Sequence, residues 1–434
     1  MMIANLAMIV LAAAAPAAPP RILTLEEALA TARADQPQVR QAAAATQAAI
    51  ARSDQARAPL LPQVAGSADY QRATSNYASR PGSLPSQISG GSSSQSWATS
   101  NYFNFGLNAS VLLYDFGQTR SRWRASQASA GAQRADERAT LEQVLFSVRT
   151  AYFQARAAKG LVTVARDTLA NQQKHMEQTQ GFVEVGTQAE IALAQAKTAV
   201  ANADVALINA QNGYETAKAQ LNQAMGVEGP TDYDVADQTL PPIAGEDGST
   251  DALLDEAIKA RPELAALAQQ VRAQELTVRA LRGAYAPTLG MSTGFSDAGV
   301  HVSSLTWNWN VAMGLTIPIF QGGQTKARVV EAEANLAAVR AQADAERQQV
   351  RFEIEQARLA VRAAKAALGA SGEALVNAQE QLRLAEGRYE TGVGSIIELG
   401  DSQVALTSAA QQKVQADYNL SQARAGLLKA LGRE

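Results

Sequence analysis

A strict alternation of apolar and polar side chains over residues 305–319 is the clearest pattern in the chain. Large apolar residues occupy the odd positions, and Thr, Asn, Ala, Gly and Pro occupy the even ones. Because successive side chains of a strand point to opposite faces, this predicts a strand with one apolar and one small polar face. The same reasoning predicts two strand pairs in all, about 63–72 with 102–114 and about 288–297 with 304–320.

The polar faces of these strands hold almost no charge, and aromatic residues such as Tyr102, Tyr114, Trp307 and Phe320 lie near the strand ends. This combination is typical of transmembrane β-barrel strands. A soluble β-sandwich is the alternative, but its large side chains would form an inner core and its outer face would carry charges.

Two long segments without proline, about 117–181 and 323–387, follow the strand pairs. They are rich in Ala with scattered larger apolar residues, which predicts helices packed closely against one another, each on the order of 100 Å long. A glycine-containing turn ends each segment, and a second helix is expected to return over 188–226 and 396–432.

The chain contains an internal duplication, because residues 112–226 align without a gap on 318–432, 206 positions later. Each repeat begins with a shorter helix, one from the Thr24 capping box to about 57 and one from Ser249 or Thr250 to about 283. We therefore expect a first repeat over 18–226, an irregular acidic linker over 227–248 and a second repeat over 249–434.

Composition narrows the classes of function. The chain has no cysteine, which excludes disulfides and thiolate sites, and its net charge of -3 gives no reason to expect a nucleic-acid partner. Residues 1–17 are interpreted as a secretory signal peptide, with an uncleaved membrane anchor as the alternative. No later segment is expected to be apolar enough for a transmembrane helix, so a membrane role would require the strands.

Four membrane strands cannot close a barrel, and an open edge in lipid leaves backbone groups without hydrogen bonds. The chain is therefore expected to share a barrel with copies of itself. Two copies supply eight strands and three supply twelve, and geometry alone leaves both open.

The order of helix, strand pair and long helical hairpin, present twice, resembles the TolC family of outer-membrane efflux and secretion channels. Motifs that carry the resemblance include Tyr114-Asp115-Phe116-Gly117 and the segment from Gly387 to Asp401, which contains Gly-Arg-Tyr-Glu-Thr-Gly. The resemblance implies an α+β membrane protein that forms a homotrimer in the outer membrane, with a twelve-stranded barrel and a coiled-coil periplasmic tunnel. It also implies a periplasmic adaptor protein and an inner-membrane transporter as partners.

Candidate pore residues lie at the second hairpin. Glu398 and Asp401 are three residues apart and share one helix face, so six carboxylates would ring the tunnel of a trimer and favour cations. The resemblance places both, with Tyr389, at the periplasmic constriction. The alternative for Glu398 is a capping box with Ser395, and Thr187 with Glu190 is interpreted as a second capping box.

The hairpin tips are the candidate adaptor contacts that the resemblance implies, namely Gly186, Thr187, Gly392, Val393 and Ser395. Both glycines also fit turn positions that require a positive φ. Two residues depart from the family pattern, since Gly394 replaces an arginine and Ala192 replaces an acid. The aperture is therefore expected to close by packing and hydrogen bonds, or to leak.

No catalytic constellation is present, so the chain is not expected to be an enzyme, and no cofactor or metal site is expected. The two histidines, His175 and His301, lie far apart, and a role in metal export is only the alternative to ordinary wall and loop positions. The main hypothesis is a passive exit duct for efflux or type I secretion. A periplasmic adaptor or structural coiled-coil protein without a pore is the alternative, and the sequence does not name the cargo.

Overall fold

The structure is a computed structural model that describes residues 21–74 and 97–433. The predicted signal peptide, 1–17, and most of the polar loop between the first two strands lie outside the described residues. The first repeat contains β1 Arg21–Leu23, α1 Leu25–Asp35, α2 Pro37–Arg57, β2 Gln63–Thr74, β3 Thr99–Tyr114, α3 Gln118–Glu184 and α4 Glu190–Met225. The linker contains β4 Tyr233–Val235, and the second repeat contains α5 Thr250–Ala260, α6 Pro262–Gly283, β5 Thr288–Gly299, β6 Thr306–Thr316, α7 Gln324–Glu390 and α8 Ile396–Leu431.

The duplication is visible in the helices. α3 and α7 have 67 residues each, α4 and α8 have 36 each, and each pair is offset by 206 positions. Both shorter helical segments break immediately before a proline, at Gln36 and at Arg261, where the backbone is extended. The residue before a proline is forced out of the helical region, which explains both breaks.

The described chain divides into two compact units, and each unit draws on both repeats. The strand unit contains residues from Ala43–Asp136 and Glu263–Glu346. The hairpin unit contains residues up to Ala42 together with those from Glu137–Pro262 and Arg347–Glu434.

The strand unit holds an antiparallel sheet in the order β2-β3-β5-β6. The register puts Leu107 opposite Phe295, and Phe295 opposite Trp309, so the apolar positions share one face. Asn108, Gly294 and Asn310 share the other. The predicted alternation is confirmed. β6 ends at Thr316, short of the predicted 320, and Pro318 beyond it has no N–H to extend the ladder.

The hairpin unit has its main core around Tyr152 and Phe153, which pack with Val144, Val148 and Leu221. β1 pairs in parallel with β4 beside this core, and the Tyr152 hydroxyl donates to the carbonyl of Ala236 at 3.0 Å. The prediction that the linker 227–248 is irregular is therefore wrong for Tyr233–Val235. Three residues are too few to show a periodicity, and their partner strand lies some 210 positions away.

Equivalent lysines of the two repeats hold acidic residues of the linker. Lys159 Nζ lies 2.6 Å from a carboxylate oxygen of Asp234, and Lys365 Nζ lies 2.6 Å from one of Glu246. Arg424 contributes a second cation to Glu246 at 3.1 Å. Burial alone would raise the pKa of Glu246, but the hydrogen bonds from Lys365 and Arg424 outweigh it and lower the pKa to about 2.

One further expectation is wrong. Of the described helices, α4 is long and apolar enough, by length and composition, to cross a membrane. The sequence interpretation gave too little weight to alanine, which dominates the middle of this helix.

Candidate pore constriction and hairpin tips

The turn between the two long helices of each repeat contains a glycine in the left-handed conformation. Gly186 has a φ of 76° and Gly392 a φ of 74°, and a Cβ atom at either position would meet nothing within 4 Å. The positive φ alone therefore accounts for glycine here, because other residues are strained in this conformation.

Apolar side chains project from both turns. Val185 and Val393 are each 73% exposed, and the first turns of α4 and α8 expose Ile191 and Ile397 to a similar degree. Sequence analysis missed the two isoleucines, although their equivalence at 206 positions was visible. Four large apolar side chains are therefore exposed at the two turns.

The caps of the returning helices differ between the repeats. Ser395 caps α8, since its side chain accepts the backbone N–H of Glu398 at 3.1 Å. The capping box predicted for Thr187 is wrong. Its hydroxyl instead donates to the carbonyl of Phe182 at 2.9 Å, at the end of α3, and α4 begins after Ala189 without a side-chain cap.

Glu398 has an ion-pair partner that sequence analysis missed. Its carboxylate lies 3.2 Å from Arg388 Nε, and both side chains are about half exposed. Asp401, one turn further along α8, is exposed, and no described residue forms a hydrogen bond or an ion pair with its carboxylate. The two predicted pore acids therefore differ, because Glu398 is paired and Asp401 carries an uncompensated charge.

Tyr389 is buried, with 4% of its surface exposed, in a small cluster with Leu399 and Phe182. Its hydroxyl accepts a hydrogen bond from Gln188 Nε2 at 2.8 Å. Gln188 belongs to the turn of the first hairpin, so this bond ties the first hairpin to the second. Sequence analysis missed Gln188, because no local pattern distinguishes it.

His175 is buried against the ring of Tyr389, with the ring centroids 5.4 Å apart. Burial lowers the pKa of His175, and no described group bonds its Nδ1 atom. His301 is exposed in the loop between β5 and β6. Within residues 21–74 and 97–433, no three metal-ligating side chains come together.

The two residues that depart from the family pattern are enclosed. The N–H of Gly394 donates to the carbonyl of Arg388 at 2.8 Å, and an added Cβ would lie 3.0 Å from the Arg388 backbone. A larger residue at 394 would therefore need a different turn. Ala192 is buried on the inner side of α4.

Paired strands with an uncharged apolar face, joined to long helical hairpins in a duplicated chain, define the class of outer-membrane channel proteins. The model of the outer membrane efflux protein family matches residues 28–227 and 253–433, and the chain belongs to this family. It is an outer-membrane protein of this channel class, and the resemblance and fold class expected from the sequence are confirmed.

Three relatives illustrate the similarity. The chain is 26% identical over 429 residues to outer membrane protein TolC of Escherichia coli, covering 92% of this chain and 80% of the relative. It is 26% identical over 415 residues to the pyoverdine export outer membrane protein OpmQ of Pseudomonas putida, covering 94% and 85%. The structure of the Campylobacter jejuni CmeC outer membrane channel shares the fold, with a TM-score of 0.81, 19% identity and coverage of 94% and 85%.

Proposed function

We propose that the protein is the exit duct of a tripartite efflux pump or of a type I secretion system, and that it conducts solutes passively across the periplasm and outer membrane. The observation that carries this is the sheet, which presents an apolar face while its outer strands, β2 and β6, each pair with no described strand on one side. Open edges in lipid cost several kcal/mol for each unsatisfied group, so further copies must complete the ring.

Three copies completing a twelve-stranded barrel fit the family best. The same family membership favours the duct over a pore-free periplasmic adaptor. A periplasmic adaptor protein and an inner-membrane transporter would deliver the solute to the helical end.

At that end, Asp401 is the residue best suited to line the pore. Its carboxylate is exposed and pairs with no described residue, and three copies would place three negative charges around the axis, which favours cations. Glu398 contributes less net charge, because Arg388 lies beside it.

Closure is proposed to depend on the Gln188–Tyr389 hydrogen bond between the two hairpins of each chain. In the family pattern, charged residues occupy the positions of Gly394 and Ala192. This bond between uncharged groups is proposed to take over their part in closure. Tyr389 is therefore a positioning residue that holds the hairpins together, and it does not face the solute.

The adaptor is proposed to contact the exposed hairpin tips, formed by Gly186, Thr187, Gly392, Val393 and Ser395. The exposed Ile191 and Ile397 extend this surface with apolar area.

Fractionation and bilayer recording test the duct. We expect a membrane-fraction trimer that resists dissociation on mild heating in detergent, and stepwise conductance when it is added to planar bilayers. A soluble periplasmic monomer without conductance would refute the proposal.

A further inference from the structure

A cavity of about 290 Å³ lies in the strand unit where β5 begins and β6 ends. Its polar lining comes from the first turns of two long helices and from the foot of the sheet, and includes Arg122, Arg328, Gln118, Gln324, Thr288 and Thr316. A pocket with two guanidinium groups and several amides and hydroxyls offers many hydrogen-bond donors.

The two arginines occupy equivalent positions, since Arg328 follows Arg122 by 206 residues. Both are exposed, and no described residue forms an ion pair or a hydrogen bond with either guanidinium. Nearby Arg282, in contrast, is paired with Glu333 at 2.5 Å. The cavity therefore holds two positive charges that no described carboxylate compensates.

The cavity borders the small polar face of the sheet. Thr288 pairs with Thr316 on that face, and both threonines also line a second cavity of about 550 Å³ that follows the same face along the strands. In a closed membrane barrel the apolar face meets lipid, so the small polar face meets the water-filled lumen. A solute in the lumen would therefore reach both arginines.

The first repeat shows how this region accommodates an anion. The Asp115 carboxylate accepts the N–H of Gly117 at 3.1 Å and the N–H of Thr119 at 2.6 Å, at the start of α3. The equivalent residue before α7 is Gln321, which is neutral and lines the cavity. The second repeat therefore has no carboxylate at the position that corresponds to Asp115.

We propose that Arg122 and Arg328 form a cationic collar in the lumen that binds phosphate or carboxylate groups of anionic solutes as they leave the helical tunnel. In a trimer the collar would contain six guanidinium groups in a pseudo-six-fold ring. Arginine suits this role, because its planar fork donates two parallel hydrogen bonds to such oxyanions. The inference rests on the proposed duct.

Block of single channels by inorganic tripolyphosphate, added from the barrel side of a planar bilayer, tests the collar. The variant is Arg122→Gln with Arg328→Gln. The matched control is Arg120→Gln with Lys326→Gln, which removes the same number of charges from equivalent exposed positions that do not line the cavity. We expect at least a tenfold weaker block in the cavity variant, and a change below twofold in the control.

Two results would overturn the collar. One is that tripolyphosphate blocks the wild type and the cavity variant equally, and the other is that the block weakens equally in the cavity variant and in the control. If the double variant does not assemble, the single variant Arg328→Gln replaces it, and we expect its block to be about threefold weaker than that of the wild type. An unchanged block in this variant would again refute the proposal. Absence of any conductance in the wild type would refute the duct itself, which separates the two failures.

Discussion

Replacing Tyr389 by phenylalanine is the most direct test of closure. The substitution keeps the ring and its contacts with His175 at 5.4 Å and Phe182 at 5.8 Å. It removes only the hydroxyl, which accepts the 2.8 Å hydrogen bond from Gln188 and also lies 3.5 Å from the hydroxyl of Thr179 in α3. We therefore expect a packed hairpin unit that has lost the hydroxyl-mediated links between its two hairpins.

The magnitude follows from the Gln188 bond in each chain, because the 3.5 Å contact with Thr179 is too long to contribute comparably. A hydrogen bond of this kind contributes about 1 kcal/mol. If three chains open together, Tyr389→Phe removes about 3 kcal/mol from the closed state, which shifts the ratio of closed to open channels by on the order of 100-fold. Single-channel recording in planar bilayers measures that ratio directly.

Two controls sharpen the test. Tyr285→Phe removes a hydroxyl from an exposed tyrosine in the strand unit and should leave gating unchanged. Gln188→Ala should open the channel about as far as Tyr389→Phe, and the double variant should add little, because both changes break the same bond. Unchanged dwell times in Tyr389→Phe, or full additivity with Gln188→Ala, would refute the mechanism.

Three other outcomes are expected. Asp401→Asn should lower the cation selectivity of the channel, measured from reversal potentials in planar bilayers. Glu398→Gln should lower the selectivity less. A larger effect of Glu398→Gln would contradict the assignment of Asp401 as the main pore-lining acid. Glu246→Gln should lower the free energy of unfolding in urea by about 3 kcal/mol at pH 7, because the pKa of this buried carboxyl falls from 4.5 to about 2 on folding. That stability is present above pH 4.5 and is lost as the pH falls toward 2. The difference in unfolding free energy between the wild type and Glu246→Gln should therefore disappear near pH 2. Gly226→Ala should lower the melting temperature much further than Gly392→Ala. Both glycines have a positive φ, but only at position 226 would an added Cβ lie 2.6 Å from a neighbouring backbone atom. Equal decreases in melting temperature would argue against this crowding as the cause.

Local patterns were sufficient for much of the fold. The alternation at 305–319 identified the faces of β6, because strand periodicity is a property of successive residues. The absence of proline allowed α3 and α7 to be predicted as single helices, and the breaks at Pro37 and Pro262 follow from the proline ring. Ser395 as a cap was also recognisable, because its partner lies only three residues away.

Interactions between distant segments were not predictable in the same way. The pairing of β1 with β4 joins three-residue segments some 210 positions apart, too short for any periodicity. The burial of Tyr389 depends on the first hairpin reaching it through Gln188. The partner of Glu398 also escaped prediction, because the turn brings Arg388 back beside it.

The sequence by itself determined the repeated plan of strand pair and helical hairpin, because period, length and duplication are encoded in consecutive residues. Only the tertiary structure decided which side chains form pairs, which remain exposed and which are buried. It paired Glu398, left Asp401 free, enclosed Tyr389 and gathered Arg122 and Arg328 into one cavity. These outcomes depend on distances between elements far apart in the chain, which the order of residues along one helix or strand does not specify.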